Sequence, residues 1–319
     1  MFNAQCSMVN DKCSMIKGRF APSPTGRMHL GNVYAALLSW LSAKSKGGEW
    51  VLRIEDIDPG RSRQEFADRI MDDLEWLGLT WDGEVTYQSK RQDIYEYYFE
   101  LLHKERLLYP CFCSRADLLV TQAPHESDGR VVYKGTCRNL RPERYPQNIA
   151  PAWRMRVPDE TIETTDGHYG TYNVHLTTEI GDFIVRRKDG AFAYQLVVVV
   201  DDLLTDITEV VRGKDLLLST PQQLFMAQTL RDLDTEKRFP NVSYAHFPLL
   251  INGAGQRLSK RDKSLDMGIL REQHSAEEII GFIAHLAGIA PTEQPITPQE
   301  LLPLFKWEKI PTEDIRVKS

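Results

Sequence analysis

Two short segments carry the residue types needed to handle a polyphosphate. The first runs from Arg19 to Asn32 (RFAPSPTGRMHLGN), where a stiff Pro-x-Pro-x-Gly turn precedes His29, Gly31 and Asn32. If a helix starts there, its free N–H groups and dipole favour an anion, and Gly31 leaves room for a ligand to approach. Read in isolation, His29 and Asn32 suit a turn and helix cap equally well. The second segment is Gly253 to Asp262 (GAGQRLSKRD), a glycine-bearing loop with Arg257, Lys260 and Arg261. Such a loop is either a solvated surface feature or a cover that offsets charge developing on phosphates.

A third group is the cysteines. Cys111-Phe112-Cys113 and Cys137 cluster, while Cys6 and Cys13 lie in a leader and look incidental. A Cys-x-Cys pair can grip a tetrahedral metal, but three thiols leave a structural zinc site one ligand short. Buried free cysteines are the alternative.

These residues need elements to position them. Residues 16–21 (IKGRFA) predict a short strand, and Val33, Ala36, Leu37, Trp40 and Leu41 recur at helical spacing before Gly47-Gly48. Trp50–Ile54 predicts a second buried strand. Ser62 with Glu65, and Ser89 with Gln92, predict capping boxes ahead of two further helices. Strands alternating with helices imply an α/β sheet, largely parallel. From Tyr109 to about Arg187 the helical rhythm gives way to short alternating segments, as in an inserted β-rich module. The rhythm returns with Ala193–Val200 and a helix from Ser219 or Thr220 through Leu230. An amphipathic helical region follows from Ser275 to Ala287, and the proline-rich stretch after Thr292 reads as poorly ordered.

Bulk properties narrow the class. At 319 residues the chain can hold one large domain with appendages. Its net charge of -6 argues against a dedicated DNA binder. Charge is uneven, however: Arg130, Lys134, Arg138, Arg141, Arg144, Arg154 and Arg156 face only Glu143 between positions 130 and 156. That stretch is either a solvated face or a phosphate track. No secretory signal precedes Lys17, and the longest apolar run, Leu196–Val200, is too short to span a bilayer. A cytoplasmic protein with no membrane contact is expected.

Taken together, the two phosphate segments resemble the paired signatures of class I aminoacyl-tRNA synthetases, His-Ile-Gly-His here as HLGN and Lys-Met-Ser-Lys-Ser here as RLSKR. RFAPSPTG, LRIEDID and YAHFPLLI narrow the resemblance to the glutamyl branch, from about Lys17 to Gly268 and more weakly beyond. It implies a Rossmann-type catalytic domain with an inserted zinc-containing β-rich module and a short helical C-terminal region. The division expected is a leader at 1–15, catalytic halves at 16–108 and 191–255, the inserted acceptor-binding module at 109–190, and the signature loop with helices at 256–319.

Glutamate brings two carboxylates and one ammonium, so its pocket needs two cations and one anion. By the resemblance, Arg19, Ala21, Ser23, Glu55, Tyr194 and Arg212 form that pocket, with Glu55 on the ammonium and the arginines on the carboxylates. Taken singly, Glu55, Asp56 and Asp58 could bind solvent or Mg²⁺, Tyr194 could be a core aromatic, and Arg212 a surface ion pair. His29, Gly31, Asn32 and Lys260 are expected to contact ATP, with Lys260, His29 and Asn32 as the catalytic set. Asn32 stands where the general signature has its second histidine, which removes a charge and leaves a positioning role. Mg²⁺ is expected to accompany ATP. Zinc would be held by Cys111, Cys113, Tyr133 and Cys137, with His125 as a rival fourth ligand.

Only about 60 residues follow Arg261. Ordinary glutamyl-tRNA synthetases continue into an anticodon-binding region, so the shortness resembles the branch that places glutamate on queuosine in the anticodon loop of tRNA(Asp). The expected partners are L-glutamate and queuosine-bearing tRNA(Asp), with a monomeric enzyme. Conventional charging of tRNA(Glu), and a non-catalytic binding paralogue, remain alternatives.

Overall fold

The computed structural model describes residues 15–114, 132–258 and 265–317. Cys6, Cys13, His125, Arg130, Lys260 and Arg261 lie outside them. Strand β1 (Lys17–Phe20) leads through the Pro22–Gly26 turn into helix α1 (Leu30–Lys44). After α1 the chain reverses at Gly47, whose φ of +67° suits glycine, and enters β2 (Glu49–Ile54). Then follow α2 (Gln64–Trp76), β3 (Thr86–Tyr87) and α3 (Gln92–Lys104).

Neither expected capping box forms on these last two helices. Arg63 caps α2, because its N–H is drawn to Pro24 O at 3.1 Å while Ser62 N–H bonds Asp58 O at 3.0 Å. Ser89 is taken by Asp56, which accepts from its backbone at 2.8 Å and its hydroxyl at 2.6 Å. Long-range partners outcompete the local motif in both places.

Residues 108–186 supply β4 (Leu108–Cys111), β5 (Ala152–Met155), β6 (Thr161–Asp166), β7 (Gly170–His175) and β8 (Phe183–Arg186). β4, β5 and β8 form a separate three-stranded antiparallel sheet. The β6–β7 hairpin instead joins the main sheet. The chain continues with α4 (Tyr194–Leu204), β9 (Glu209–Gly213), α5 (Thr220–Leu233), β10 (Ser243–Phe247) and β11 (Leu250–Ile251). It closes with α6 (Met267–Gln273), α7 (Ala276–Leu286), α8 (Pro298–Leu301) and β12 (Ile315–Arg316). Ala193–Val200 is thus largely helical. Its valines are buried on all sides, which erases the amphipathic signature.

The main sheet has seven strands in the order β3-β2-β1-β9-β10-β6-β7. Every pairing in it is parallel except the β6–β7 hairpin, so the sheet is mixed. From β1 the order runs one way to β2 and β3 and the other way to β9 and β10. That reversal opens a crevice at the carboxyl ends of β1 and β9, where α/β sheets bind ligands. Helix α1 packs across it against β1, β2 and β9.

One core joins α1, α2 and the C-terminal helices to the sheet, with Trp50, Leu37, Leu52 and Ile280 fully buried. A second core joins α3, α4 and α5 to the small sheet. Through Val317 the stretch after Thr292 packs against the rest of the protein, contrary to expectation. Leu301, Phe305, Ile310 and Val317 dip into the first core between its polar residues. Among the described residues no helix is long and apolar enough to cross a membrane.

Candidate active site

A cleft of about 460 Å³ opens at this crevice. Its lining includes Arg19, Ala21, Ser23, Glu55, Tyr194 and Arg212, together with His29 and Asn32. Gly31 lines a smaller adjoining recess that shares His29, Asn32, Gly213 and Arg257 with the cleft. Every described residue expected to meet glutamate or nucleotide is therefore gathered in one place.

The α1 N-terminus is built by a reciprocal cap. His29 Nδ1 accepts from Gly31 N–H at 3.1 Å, and Asn32 Oδ1 accepts from His29 N–H at 3.1 Å. A Cβ at Gly31 would sit 3.0 Å from the His29 ring, so the glycine makes room for the cap before it makes room for any ligand. The turn from Pro22 to Thr25 is pinned from β2, where Glu55 N–H bonds Pro22 O at 3.0 Å. Both flanks of the second phosphate segment reach this helix end. Leu258 is buried beside Gly31, and on the far side Met267 N–H bonds Met28 O at 3.0 Å. Arg257 lines the cleft and pairs with Asp215.

Two arginines of the cleft, Arg19 and Arg212, are held differently. Arg19 is 5% exposed and pairs with Asp202 at 3.3 Å. Asp202 also receives Arg53 Nη1 at 2.6 Å, and Arg53 Nη2 bonds Glu55 Oε1 at 3.3 Å. Beyond them Asp201 accepts from Arg91, Tyr95 and Gln88. Burial alone would raise the Asp202 carboxyl, but Arg53 and then Arg19 outweigh it and hold it below its ordinary value. For Glu55 burial wins over Arg53 and Arg19, and its carboxyl is raised. A carboxylate accepts at roughly four lone-pair sites, so Glu55 keeps capacity for a cation that would favour its ionised form.

Arg212, on β9, has neutral partners. It donates to His246 Nε2 at 3.0 Å, Gln223 Oε1 at 2.8 Å, Thr220 Oγ1 at 2.9 Å and Leu216 O at 3.3 Å, and lies 3.5 Å from Tyr194 OH. Among the described residues no carboxylate makes an ion pair with it. A guanidinium 6% exposed and uncompensated is a demand for an anion.

Sequence reasoning missed Arg53, Asp201, Asp202 and His246. Arg53 stands two residues before Glu55, and in a strand such residues share a face, which was a usable signal. Adjacent aspartates at a helix end carry none.

Outside the cleft lining, Cys111, Cys113 and Cys137 bring their sulfurs within 4.8 Å of one another. Cys113 Sγ lies 3.6 Å from Cys137 Sγ, and Tyr133 OH lies 3.5 Å from Cys111 Sγ and 3.8 Å from Cys113 Sγ. Zinc–sulfur bonds of about 2.3 Å in a tetrahedron put sulfurs roughly 3.8 Å apart, so the four groups fit such an ion. Several cations of the basic stretch around them are engaged within the protein. Arg138 pairs with Asp182, Arg154 bonds Asp182 O and stacks on Tyr133, and Arg156 lies over Tyr109. Lys134, Arg141 and Arg144 remain exposed.

The model of the class I tRNA synthetase catalytic domain of the E and Q type matches residues 15–310. The chain belongs to that family. A family member from Symbiobacterium thermophilum, named glutamyl-Q tRNA(Asp) synthetase, is 42% identical over 96% of this chain and 97% of its own length. One of the same name from Nitratidesulfovibrio vulgaris is 42% identical over 93% and 94%. Among solved structures, a glutamate tRNA ligase from Elizabethkingia meningosepticum, crystallised with its amino acid, superposes with a TM-score of 0.77. It is 29% identical, over 95% of this chain and 67% of that one. The α/β fold of this chain, with its mixed sheet, is that of a class I synthetase.

Proposed function

We propose that the chain activates L-glutamate with ATP as glutamyl-adenylate and transfers the glutamyl group to queuosine in the anticodon loop of tRNA(Asp). The observation that carries the first half is the cleft, in which Arg19, Glu55 and Arg212 surround one volume beside the α1 N-terminus. The names of the full-length relatives support the second half.

In this reading Arg19 and Arg212 take the two carboxylates and Glu55 the ammonium, with Ala21, Ser23 and Tyr194 shaping the walls. The α-carboxylate oxygen attacks the α-phosphorus of ATP, and the bond to the departing pyrophosphate breaks. A nucleic-acid hydroxyl then attacks the acyl carbon, its proton leaves, and AMP departs. The first nucleophile is already ionised at neutral pH, so alignment and charge stabilisation supply the catalysis. His29, Gly31 and Asn32 would hold the nucleotide, and Lys260 the phosphates. Mg²⁺ would travel with ATP, bound mainly by phosphate oxygens. Cys111, Cys113, Tyr133 and Cys137 would hold one zinc ion, which would fix residues 109–190 as an acceptor-binding module. A cytoplasmic monomer is part of the same proposal.

The test is pyrophosphate exchange into ATP. Exchange that depends on glutamate and ignores aspartate and glutamine supports the proposal; no amino-acid dependence removes it. Lys260→Ala should lower the exchange rate far more than glutamate affinity.

A further inference from the structure

Arg212 is held by an imidazole where Arg19 is held by a carboxylate. His246, on β10 beside β9, is wholly buried, and its Nδ1 lies 2.5 Å from Asp166 Oδ2. Asp166 ends β6 and also accepts from the backbone N–H groups of His246, His168 and Tyr169 at 3.2, 3.0 and 2.9 Å. It is therefore a fixed acceptor, tied to the turn that follows it. Guanidinium only donates, so His246 Nε2 must be the accepting nitrogen and Nδ1 must carry the hydrogen. Thr220 Oγ1, 3.4 Å from Nε2, can add a donor but does not change the tautomer. Burial holds the imidazole below its ordinary value, with Arg212's own charge adding to that effect and Asp166 opposing it.

We propose that His246, oriented by Asp166, is a positioning residue of the amino-acid site, fixing the Arg212 guanidinium while leaving its positive charge uncompensated. A carboxylate at position 246 would hold Arg212 as firmly but would compete with the substrate carboxylate. This rests on the reading that Arg212 takes a substrate carboxylate. It adds the residues that make Arg212 a receptor for anions instead of a structural ion pair.

Three variants of the full chain test it, each assayed by glutamate-dependent pyrophosphate exchange alongside a thermal melt. His246→Asn can still donate to Asp166 but offers Arg212 no acceptor, and should raise KM for glutamate roughly tenfold with KM for ATP nearly unchanged. His246→Gln reaches the Nε2 position with an amide oxygen and should recover most of that affinity. Asp166→Asn can present an amide donor to Nδ1, forcing the hydrogen to Nε2 against Arg212, and should reproduce the glutamate-specific rise. The idea is overturned if His246→Asn binds glutamate like the parent while His246→Gln does not, since His246 would then act only through Asp166 and the fold. Arg212→Ala separates the layers. No change there sinks the glutamate reading itself, whereas a rise there with none in Asp166→Asn or His246→Asn sinks the positioning role alone.

Discussion

Asp202 and Arg19 form a buried ion pair at 3.3 Å, with both side chains about 95% covered, and the aspartate serves Arg53 at the same time. Removing one partner of a buried pair leaves an unmatched charge, at a cost of about 3–5 kcal/mol. Asp202→Ala should therefore lower thermal stability sharply and loosen Arg19 in the cleft. A melt matching that of the parent would show that the network carries no stability.

Arg212 is held by three side-chain acceptors, His246 Nε2, Gln223 Oε1 and Thr220 Oγ1, a geometry the single ammonium of lysine cannot copy. Arg212→Lys should raise KM for glutamate at least about tenfold, equivalent to about 1.4 kcal/mol. KM for ATP should move little. Equal rises in both constants would assign Arg212 to the fold.

Acid should destabilise the protein through His246. Its native pKa is below the ordinary 6.5, so the unfolded chain binds more protons as pH falls through that value. The contribution is fully present above about pH 6.5 and shrinks below it. Asp166, also lowered, adds a further loss beneath its ordinary 3.8. Thermal melts between about pH 7.5 and about pH 5 should show this slope, and His246→Gln should flatten it. An unchanged slope would locate the titrating group elsewhere.

Cys137→Ser should remove one equivalent of zinc from purified protein and lower its melting temperature. Because Cys111, Cys113 and Cys137 do not line the cleft, glutamate-dependent exchange should persist while transfer to tRNA declines. Parent protein without zinc by elemental analysis would end the metal proposal.

The candidate pocket residues came from the resemblance to the glutamyl branch, and short-range signals placed several of them. A Pro/Gly turn between a strand and a helical repeat fixes Arg19, His29 and Asn32 relative to one another, and Glu55 follows a strand of plain apolar character. What escaped notice depends on partners distant in sequence. Ser62 lost its box because Pro24 claims the neighbouring N–H, and Ser89 lost its own to Asp56. Asp201 and Asp202 resemble the solvated end of a helix until Arg19, Arg53 and Arg91 arrive from other elements. The valines of α4 gave no period to read, since they are buried all round. The tail after Thr292 looked loose because its apolar anchors are single residues among prolines and charges.

Charging of tRNA(Asp) with labelled glutamate, comparing transcripts with and without queuosine, tests the central claim most directly. Incorporation only into the queuosine-bearing tRNA is the predicted result. Equal incorporation into both, or preference for tRNA(Glu), would contradict it.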